Sequence, residues 1–369
     1  MASSTQGIRP GFRLLITFGT AAAGGLLFMF IALPVPWLLG PMVGVLIGSN
    51  IAKRYYSWPG IVRNGGMIVV GYTIGISLTA TALREIGRQL PAMLLMTALL
   101  LVFCAGIAFI VSKISGVNYR TVLLGSIPGG LTQMVLLAEE MEDINITIVT
   151  VIQVIRLMMI IICVPLLIFS PLFAGQPAAE EFYDPASASV SASWAGLFPN
   201  IFFFAAACIA AGILGQKIKF PTAYLLGPAI IAAILQLFGL QAPVLPAILL
   251  NAAQLAIGVF VGLLLDPRKL SHKWMTLSLA VGSGMVLLGG AYALSYLFAA
   301  FESVGASTAL LSLAPGGMDQ MSLIAHEVGA DLPTVAGFQI FRTFFIFFAV
   351  PPLFKLIFRE KKTESSAIS

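Results

Sequence analysis

The chain has 369 residues, of which 59% are hydrophobic and only 9% are charged, whereas soluble globular domains are about half apolar and a quarter charged. This composition predicts an integral membrane protein. The net charge of +5 does not imply a nucleic-acid partner, because lysine and arginine also accumulate in the cytoplasmic loops of membrane proteins. The three cysteines stand singly in separate apolar runs, so neither a disulfide framework nor a soft-metal site is predicted.

Most of the chain consists of apolar runs long enough to cross about 30 Å of hydrocarbon as helices. They cover residues 14–33, 59–80, 93–111, 146–172, 194–212, 248–265, 274–297 and 335–356. Two shorter runs, which open at proline, cover 37–52 and 223–238. Two others, which are broken in the middle by Pro-Gly-Gly, cover 122–137 and 306–325. The first run lacks a small-x-small cleavage pattern, so we expect a retained span. The pattern predicts an all-α fold without a soluble catalytic or DNA-reading domain.

The sequence repeats itself. Leu-Leu-Gly-Pro at 38–41 recurs at 225–228, and Pro-Gly-Gly at 128–130 recurs at 315–317, so both motifs return 187 positions later. After a one-residue deletion, Gln-x-x-Arg at 153–156 recurs at 339–342. This self-similarity indicates a tandem duplication. We predict a first membrane repeat at residues 1–172 and a second at 194–358. An extracytoplasmic polar linker at 173–193 joins them, and a cytoplasmic basic tail follows at 359–369.

The distribution of Lys and Arg predicts the topology. If every apolar run crosses the membrane, 11 basic residues lie in cytoplasmic loops and 7 lie outside. If each Pro-Gly-Gly run is a re-entrant hairpin, each repeat crosses five times, and 16 lie inside while only Arg84 and Arg88 lie outside. The second count fits the positive-inside rule better. An odd number of crossings inverts the second repeat, so we predict two inverted repeats with cytoplasmic N- and C-termini.

The glycines at 71 and 75, and again at 258 and 262, have the small-xxx-small spacing that lets membrane helices approach closely. We interpret them as packing positions.

The two Pro-Gly-Gly segments are the first candidate binding site. Proline and glycine cannot continue the helix there, and irregular backbone at membrane depth must be buried in protein or line a cavity. We expect the tips to face each other near the midplane, with the resuming helices offering N–H groups to an anion. The predicted substrate contacts are Ser126, Gly129, Gly130, Thr132, Gln133, Gly316, Gly317, Asp319 and Gln320. The alternative is a structural break in which Thr132 or Asp319 only caps the following helix.

Arg156 and Arg342 lie inside the last span of their repeats, where a charge is costly unless it is paired or faces water. Either the guanidinium groups bind an anionic substrate in a central cavity, or they form ion pairs with the acidic residues that precede them. Those residues are Glu139, Glu140, Glu142 and Asp143 in the first repeat and Glu327 and Asp331 in the second. Two cations beside two helix N-termini favour an anion over a metal or ammonium ion.

Three residues are candidates for a coupling ion or proton: Asp319, His326 and Glu327. His326 could relay a proton with Glu327, or it could be a boundary residue at the membrane surface. With only two histidines, the chain cannot assemble a copper or di-iron cluster from the usual ligands. We therefore predict no metal and no cofactor.

The segments "PGGLTQMVLLAEE" and "APGGMDQMSLIAHE", each followed by Gln-x-x-Arg, resemble the AbrB duplication family of bacterial membrane proteins over nearly the whole chain. Members of that family carry the labels ammonia monooxygenase and regulator of gene expression, and the scarcity of histidine argues against the first. The layout is similar to that of the glutamate and 2-hydroxycarboxylate symporters. That analogy implies that the tips at 126–130 and 314–317, with Arg342, line a substrate site, that Na⁺ or H⁺ drives transport, and that the protein is a homodimer.

We therefore expect a secondary transporter in the bacterial plasma membrane that moves a small anionic solute by alternating access, coupled to H⁺ or Na⁺. No enzymatic activity and no nucleic-acid partner are expected. The alternative is a membrane sensor or regulator that influences gene expression, which would bind a ligand or partner without flux.

Overall fold

The computed structural model describes residues 10–139, 141, 144–170, 198, 200–264 and 273–357, without the side chains of 131–133, 136, 273–276, 355 and 357. The predicted linker, 173–193, and the predicted tail, 359–369, lie outside the described residues. In the described ranges the chain is α-helical and contains no strand.

The described residues form seven α-helices in each repeat. Those of the first repeat are α1 (Pro10–Phe30), α2 (Pro36–Ala52), α3 (Gly60–Ser77), α4 (Ala80–Ser115), α5 (Tyr119–Ser126), α6 (Leu131–Glu139) and α7 (Ile146–Ile168), with a short 3₁₀ turn at Lys53–Tyr55. Those of the second repeat are α8 (Asn200–Lys217), α9 (Ala223–Leu237), α10 (Ala247–Leu264), α11 (Lys273–Glu302), α12 (Ala306–Leu313), α13 (Met318–Glu327) and α14 (Leu332–Ile357). Each helix of the first repeat thus has a counterpart seven helices later.

Seven of these helices are long and apolar enough to cross a membrane, namely α1, α4, α7, α8, α10, α11 and α14. The prediction of an all-α, multi-pass membrane protein is therefore confirmed. The inverted orientation of the two repeats and the side on which the termini lie stay predictions.

One predicted boundary is wrong by a wide margin. The apolar run 93–111 predicted a helix of ordinary length, but α4 spans 36 residues, about 54 Å at 1.5 Å per residue. Thr79 caps its N-terminus by accepting a hydrogen bond from the N–H of Ala82 at 3.2 Å. Arg84 and Arg88 therefore lie in the first turns of a helix, where Arg88 pairs with Glu85 at 2.6 Å. The apolar run stops at the charged residues, but the helix continues through these residues because its backbone hydrogen bonds do not depend on hydropathy.

The predicted glycine packing is confirmed, and it joins the two repeats. A Cβ added at Gly75 of α3 would lie 2.5 Å from the carbonyl oxygen of Ala229 in α9. A Cβ added at Gly262 of α10 would lie 2.5 Å from the carbonyl oxygen of Met42 in α2. Helices at this separation tolerate no side chain. Each Leu-Leu-Gly-Pro helix, α2 and α9, therefore packs against a glycine-containing helix of the other repeat.

Each half-helix before a break is held by the long helices of its own repeat, and these long helices pack on helices of the other repeat. The half-helix α5 contacts α4 and α7, and its counterpart α12 contacts α11 and α14. In addition, α11 packs on α7 and α4 packs on α14, which crosses the repeats. The two long helices meet at equivalent positions, because the ring of Phe103 occupies the space that a side chain at Gly290 would need. This arrangement places both hairpins beside helices of the opposite repeat.

Candidate functional site

Both Pro-Gly-Gly segments interrupt a helix, as predicted. In the first hairpin α5 ends at Ser126 and α6 begins at Leu131, and in the second α12 ends at Leu313 and α13 begins at Met318. The backbone turns in the same way at both breaks, because the N–H of Gly129 donates to the Ile127 carbonyl at 2.8 Å and the N–H of Gly316 donates to the Ala314 carbonyl at 2.8 Å. Each break exposes the carbonyl end of one half-helix and the N–H end of the next.

Arg156 binds the carbonyl end of the first break. Its Nη1 donates to the backbone oxygens of Gly125, Ser126 and Ile127 at 3.3, 2.8 and 3.0 Å. Its Nη2 donates to Oε1 of Gln153 at 2.7 Å. The amide nitrogen of Gln153 in turn donates to the carbonyls of Leu124 and Ile127 at 2.9 and 3.0 Å. The Gln-x-x-Arg motif of α7 therefore caps the C-terminus of α5.

The second repeat has the same arrangement. Arg342 donates to the carbonyl oxygens of Leu313, Ala314 and Gly316 at 3.4, 2.9 and 3.1 Å, and also to Oε1 of Gln339. The amide nitrogen of Gln339 donates to the carbonyls of Leu311, Ser312 and Ala314 at 2.8, 3.4 and 3.4 Å. A cation at a helix C-terminus is stabilised by the partial negative charge of the unsatisfied carbonyls.

These contacts bear on the ion-pair interpretation. Neither arginine pairs with a carboxylate among the side chains that the structure describes. In the second repeat the acidic residues have other partners: Glu327 accepts from Gln254 at 2.6 Å and Asp331 accepts from Thr334 at 2.5 Å. The ion-pair interpretation is therefore wrong for Arg342. In the first repeat Glu139 is exposed, and Glu140, Glu142 and Asp143 lie outside the described residues.

The site carries concentrated positive charge inside the protein. Arg156 is 5% exposed and Arg342 is 3% exposed. The two guanidinium groups lie within electrostatic reach of each other, and Cys104 of α4 lies within reach of both. The positive charge of a buried cation without a carboxylate partner is only partly compensated, because a helix C-terminus supplies only about half a negative charge.

At the first tip, Ser126 is buried and its hydroxyl has no hydrogen-bond partner among the described residues. Ser126 and Arg156 line a small cavity together. Gly129 and Gly130 lie in the break, as predicted. Thr132 and Gln133 lie in the first turn of α6, but their side chains are outside the described part of the structure, so their predicted contacts stay predictions.

At the second tip, Gly316 and Gly317 form the break and Asp319 lies in the first turn of α13. The N-cap position is Gly317, and the backbone N–H groups of Asp319 and Gln320 act on the Asp319 carboxylate, so capping of α13 by Asp319 stays an alternative to ligand binding. Its Oδ2 accepts a hydrogen bond from Nε2 of Gln320 at 2.9 Å, and Arg63 of α3 acts on its carboxylate electrostatically. The Oε1 of Gln320 is buried and has no partner within the part of the chain that the structure describes. The second tip therefore presents acceptor oxygens where the first presents a hydroxyl.

His326 and Glu327 lie at the far end of α13 and are both exposed. Glu327 accepts its hydrogen bond from Gln254 of α10. This geometry favours a boundary position for His326 over a relay within one hydrogen-bonded pair. Within the described residues, no group of three or more His, Cys, Asp or Glu side chains could hold a metal ion.

Sequence reasoning did not include Gln153, Gln339, Gln254 or Ser283 among the site residues. The recurrence of Gln-x-x-Arg in both repeats was a signal for the first two. No sequence signal marks Gln254, which donates to Glu327, or Ser283, which lines the same cavity as Ser126 and Arg156, because both come from helices that are distant in the chain.

The family model described as "Transition state regulatory protein AbrB" matches residues 1–170 and again residues 37–358. The chain is 25% identical to "Uncharacterized protein YhjN" of Bacillus subtilis (strain 168) over 375 residues, which covers 95% of both chains. It is also 25% identical to "Putative regulator AbrB" of Escherichia coli (strain K12) over 333 residues, which covers 89% of this chain and 92% of the relative. No solved structure matches. Since the family model covers nearly the whole chain, the protein belongs to the AbrB family.

Proposed function

We propose that the protein is a secondary active transporter that moves a small anionic solute by alternating access at the two hairpin breaks. The observation that carries the proposal is the pair of buried arginines, each of which holds the carbonyl end of a broken helix and has no carboxylate partner among the described side chains. Broken helices at matching positions of two repeats are typical of transporter sites.

The charge at the breaks favours an anion. Two guanidinium groups contribute two positive charges, and two helix C-termini offset about one of them. Asp319 adds a carboxylate at the second tip, but Arg63 lies within electrostatic reach of it. About one positive charge remains, and in a low-dielectric interior such a charge is costly until an anion compensates it.

The coupling ion is H⁺ or Na⁺ in this proposal. Asp319 is the first candidate for its carboxylate, since it lies at the second break beside Gln320. Glu327 is the second, and its hydrogen bond with Gln254 links α13 of the hairpin to α10. We further propose that the protein is a homodimer in the bacterial plasma membrane, with both termini in the cytoplasm, and that it needs no cofactor, catalyses no reaction and binds no nucleic acid.

Flux in reconstituted liposomes tests the proposal, with carboxylates, sulfonates and phosphate as solutes and with imposed H⁺ or Na⁺ gradients. Because the arginines also hold the hairpins, we would compare Arg342→Lys, which keeps the charge, with Arg342→Gln, which keeps only hydrogen-bonding groups. Arg88→Gln is the matched control, since the Arg88 side chain is 66% exposed at the start of α4.

We expect Arg342→Gln to abolish uptake, Arg342→Lys to retain part of it with a higher KM, and Arg88→Gln to behave as the unmodified protein. Full uptake of the anion by both Arg342→Gln and Arg156→Gln would remove the basis of the proposal.

A second candidate function is a membrane regulator that binds a ligand or partner and influences gene expression. It is favoured by the printed name of one relative, "Putative regulator AbrB". This function predicts a ligand that raises thermal stability without flux, and a protein that copurifies. Uptake of the stabilising ligand into liposomes would count against it.

A further inference from the structure

A small cavity lies beside Arg156, between the two repeats. It is enclosed by α4, α5 and α7 of the first repeat and by α11 of the second, and it has room for about one water-sized molecule. Its walls are formed by Ile107, Ser126, Ile152, Arg156, Ser283, Gly284 and Leu287. The cavity is therefore apolar on most sides, with a cation and two hydroxyl groups at its surface.

Two of the side chains that line this cavity each carry a polar atom without a partner among the described residues. The Nε of Arg156 and the Oγ of Ser126 are both buried without a hydrogen bond in that part of the chain, and their residues are only 5% and 3% exposed. The remaining nitrogens of Arg156 are occupied by carbonyls and by Gln153. An arginine Nε–H can only donate, so the group that completes this site must be an acceptor. Leaving such a donor unpaired is costly in a buried position.

The duplication supplies an internal comparison, because the equivalent space beside Arg342 is filled. At the offset of 187, Leu313 stands in place of Ser126 and Met96 in place of Ser283, and at the offset of 186 Phe338 stands in place of Ile152. These three side chains are at most 1% exposed and pack in one apolar cluster. The ring of Phe338 also packs edge-on against Phe298, with centroids 4.8 Å apart.

The remaining small wall residue follows the same trend. Thr97 stands in place of Gly284, and its side chain adds volume where glycine leaves space. The buried Thr97 hydroxyl also has no partner among the described residues. The two repeats thus share the arginine and its carbonyl contacts but differ in the space beside them. The first repeat keeps a mostly apolar cavity with polar groups among its lining residues, and the second repeat fills the equivalent space with larger side chains.

We propose that the cavity beside Arg156 binds one monovalent anion of halide size, and that the second repeat has no equivalent site. The inference rests on the proposed function in taking Arg156 as an anion contact, and it narrows the ligand of that contact. A halide accepts from both unpaired groups, compensates the buried charge and tolerates the apolar wall of Ile107, Ile152 and Leu287. A carboxylate or sulfate is too large for a space of about one water.

Thermal unfolding of the purified, full-length protein tests this site. Sodium chloride and sodium bromide would be titrated against sodium gluconate at constant ionic strength. We expect a rise in Tm that reaches about 2 °C when the halide exceeds its Kd by about tenfold and that grows further with the logarithm of halide concentration. Ser126→Ala removes the hydroxyl and should weaken halide affinity by about tenfold or more, and Ser126→Leu copies the residue of the second repeat and should abolish the effect.

Ser312→Ala is the matched control. Ser312 is a buried serine on the equivalent half-helix α12, and its hydroxyl donates to the Thr308 carbonyl at 2.7 Å. This variant should keep the halide response of the unmodified protein. Each response is measured against the variant's own Tm in gluconate, so a general loss of stability does not imitate a loss of binding.

Two results would overturn the inference. Equal Tm values in halide and gluconate would show that the cavity holds water only, and an unchanged halide response in Ser126→Leu would place the anion elsewhere. Both differ from failure of the proposed function, which appears as absence of flux. A halide response without flux would mean that the site binds halide but that the protein is not a transporter. Flux of a larger anion without a halide response would mean that the protein is a transporter but that this halide site does not exist.

Discussion

Replacing Gly262 by alanine tests how closely the two repeats are packed. The new Cβ would lie 2.5 Å from the carbonyl oxygen of Met42, 3.2 Å from its carbonyl carbon and 3.3 Å from the backbone nitrogen of Leu46. All three are backbone atoms of α2, so no side chain can rotate away. Ordinary contact requires α2 and α10 to move apart by on the order of 1 Å.

Such overpacking costs about 1–3 kcal/mol, and removing a glycine from a helix interior returns about 0.5–1 kcal/mol. We therefore expect Gly262→Ala to lower the free energy of unfolding by about 0.5–2 kcal/mol, which corresponds to a fall in Tm on the order of 1–3 °C. Gly75→Ala should behave in the same way, since its Cβ would lie 2.5 Å from the Ala229 carbonyl oxygen and 2.6 Å from the Ala232 Cβ.

Gly65→Ala is the control, because it lies in α3 with no heavy atom within 4 Å of its added Cβ. It should gain only the helix contribution and raise Tm slightly. The assay is thermal unfolding of the detergent-purified variants. If Gly262→Ala proved as stable as Gly65→Ala, the reasoning from close helix contact would be refuted.

Gln339→Leu leaves carbonyls at the end of α12 unpaired and should lower the free energy of unfolding by about 2 kcal/mol or more; an unchanged unfolding curve would show that the cap contributes little. Tyr72→Phe removes the 2.5 Å bond to the Pro243 carbonyl and should cost about 1 kcal/mol, again measured by unfolding. Glu327→Gln should flatten the pH dependence of flux if this carboxylate carries the proton, and an unaltered pH profile would exclude it. A cysteine at Ser191 should react with an impermeant thiol reagent on intact cells, whereas labelling only after lysis would reverse the topology.

The sequence by itself was sufficient for the local and the repeated features. Composition determined the membrane class, because a chain with so few charges cannot cover a soluble surface. Recurrence of Leu-Leu-Gly-Pro and Pro-Gly-Gly revealed the duplication, and proline with two glycines determined the helix breaks through local backbone chemistry. The extra turns at the start of α4 escaped prediction, since hydropathy does not report backbone hydrogen bonding through charged positions.

Only the tertiary structure decided what the arginines contact. Apart from Gln153 and Gln339 on their own helices, their partners are backbone carbonyls 25 or more positions away, and a carbonyl leaves no mark in the sequence because every residue has one. The cavity beside Arg156 required the fold for a related reason. Three of its lining residues, Ser283, Gly284 and Leu287, come from the second repeat, and they reach Arg156 only because α11 packs against α7. The sequence therefore determined which elements form, and packing between the repeats decided which side chains share a site.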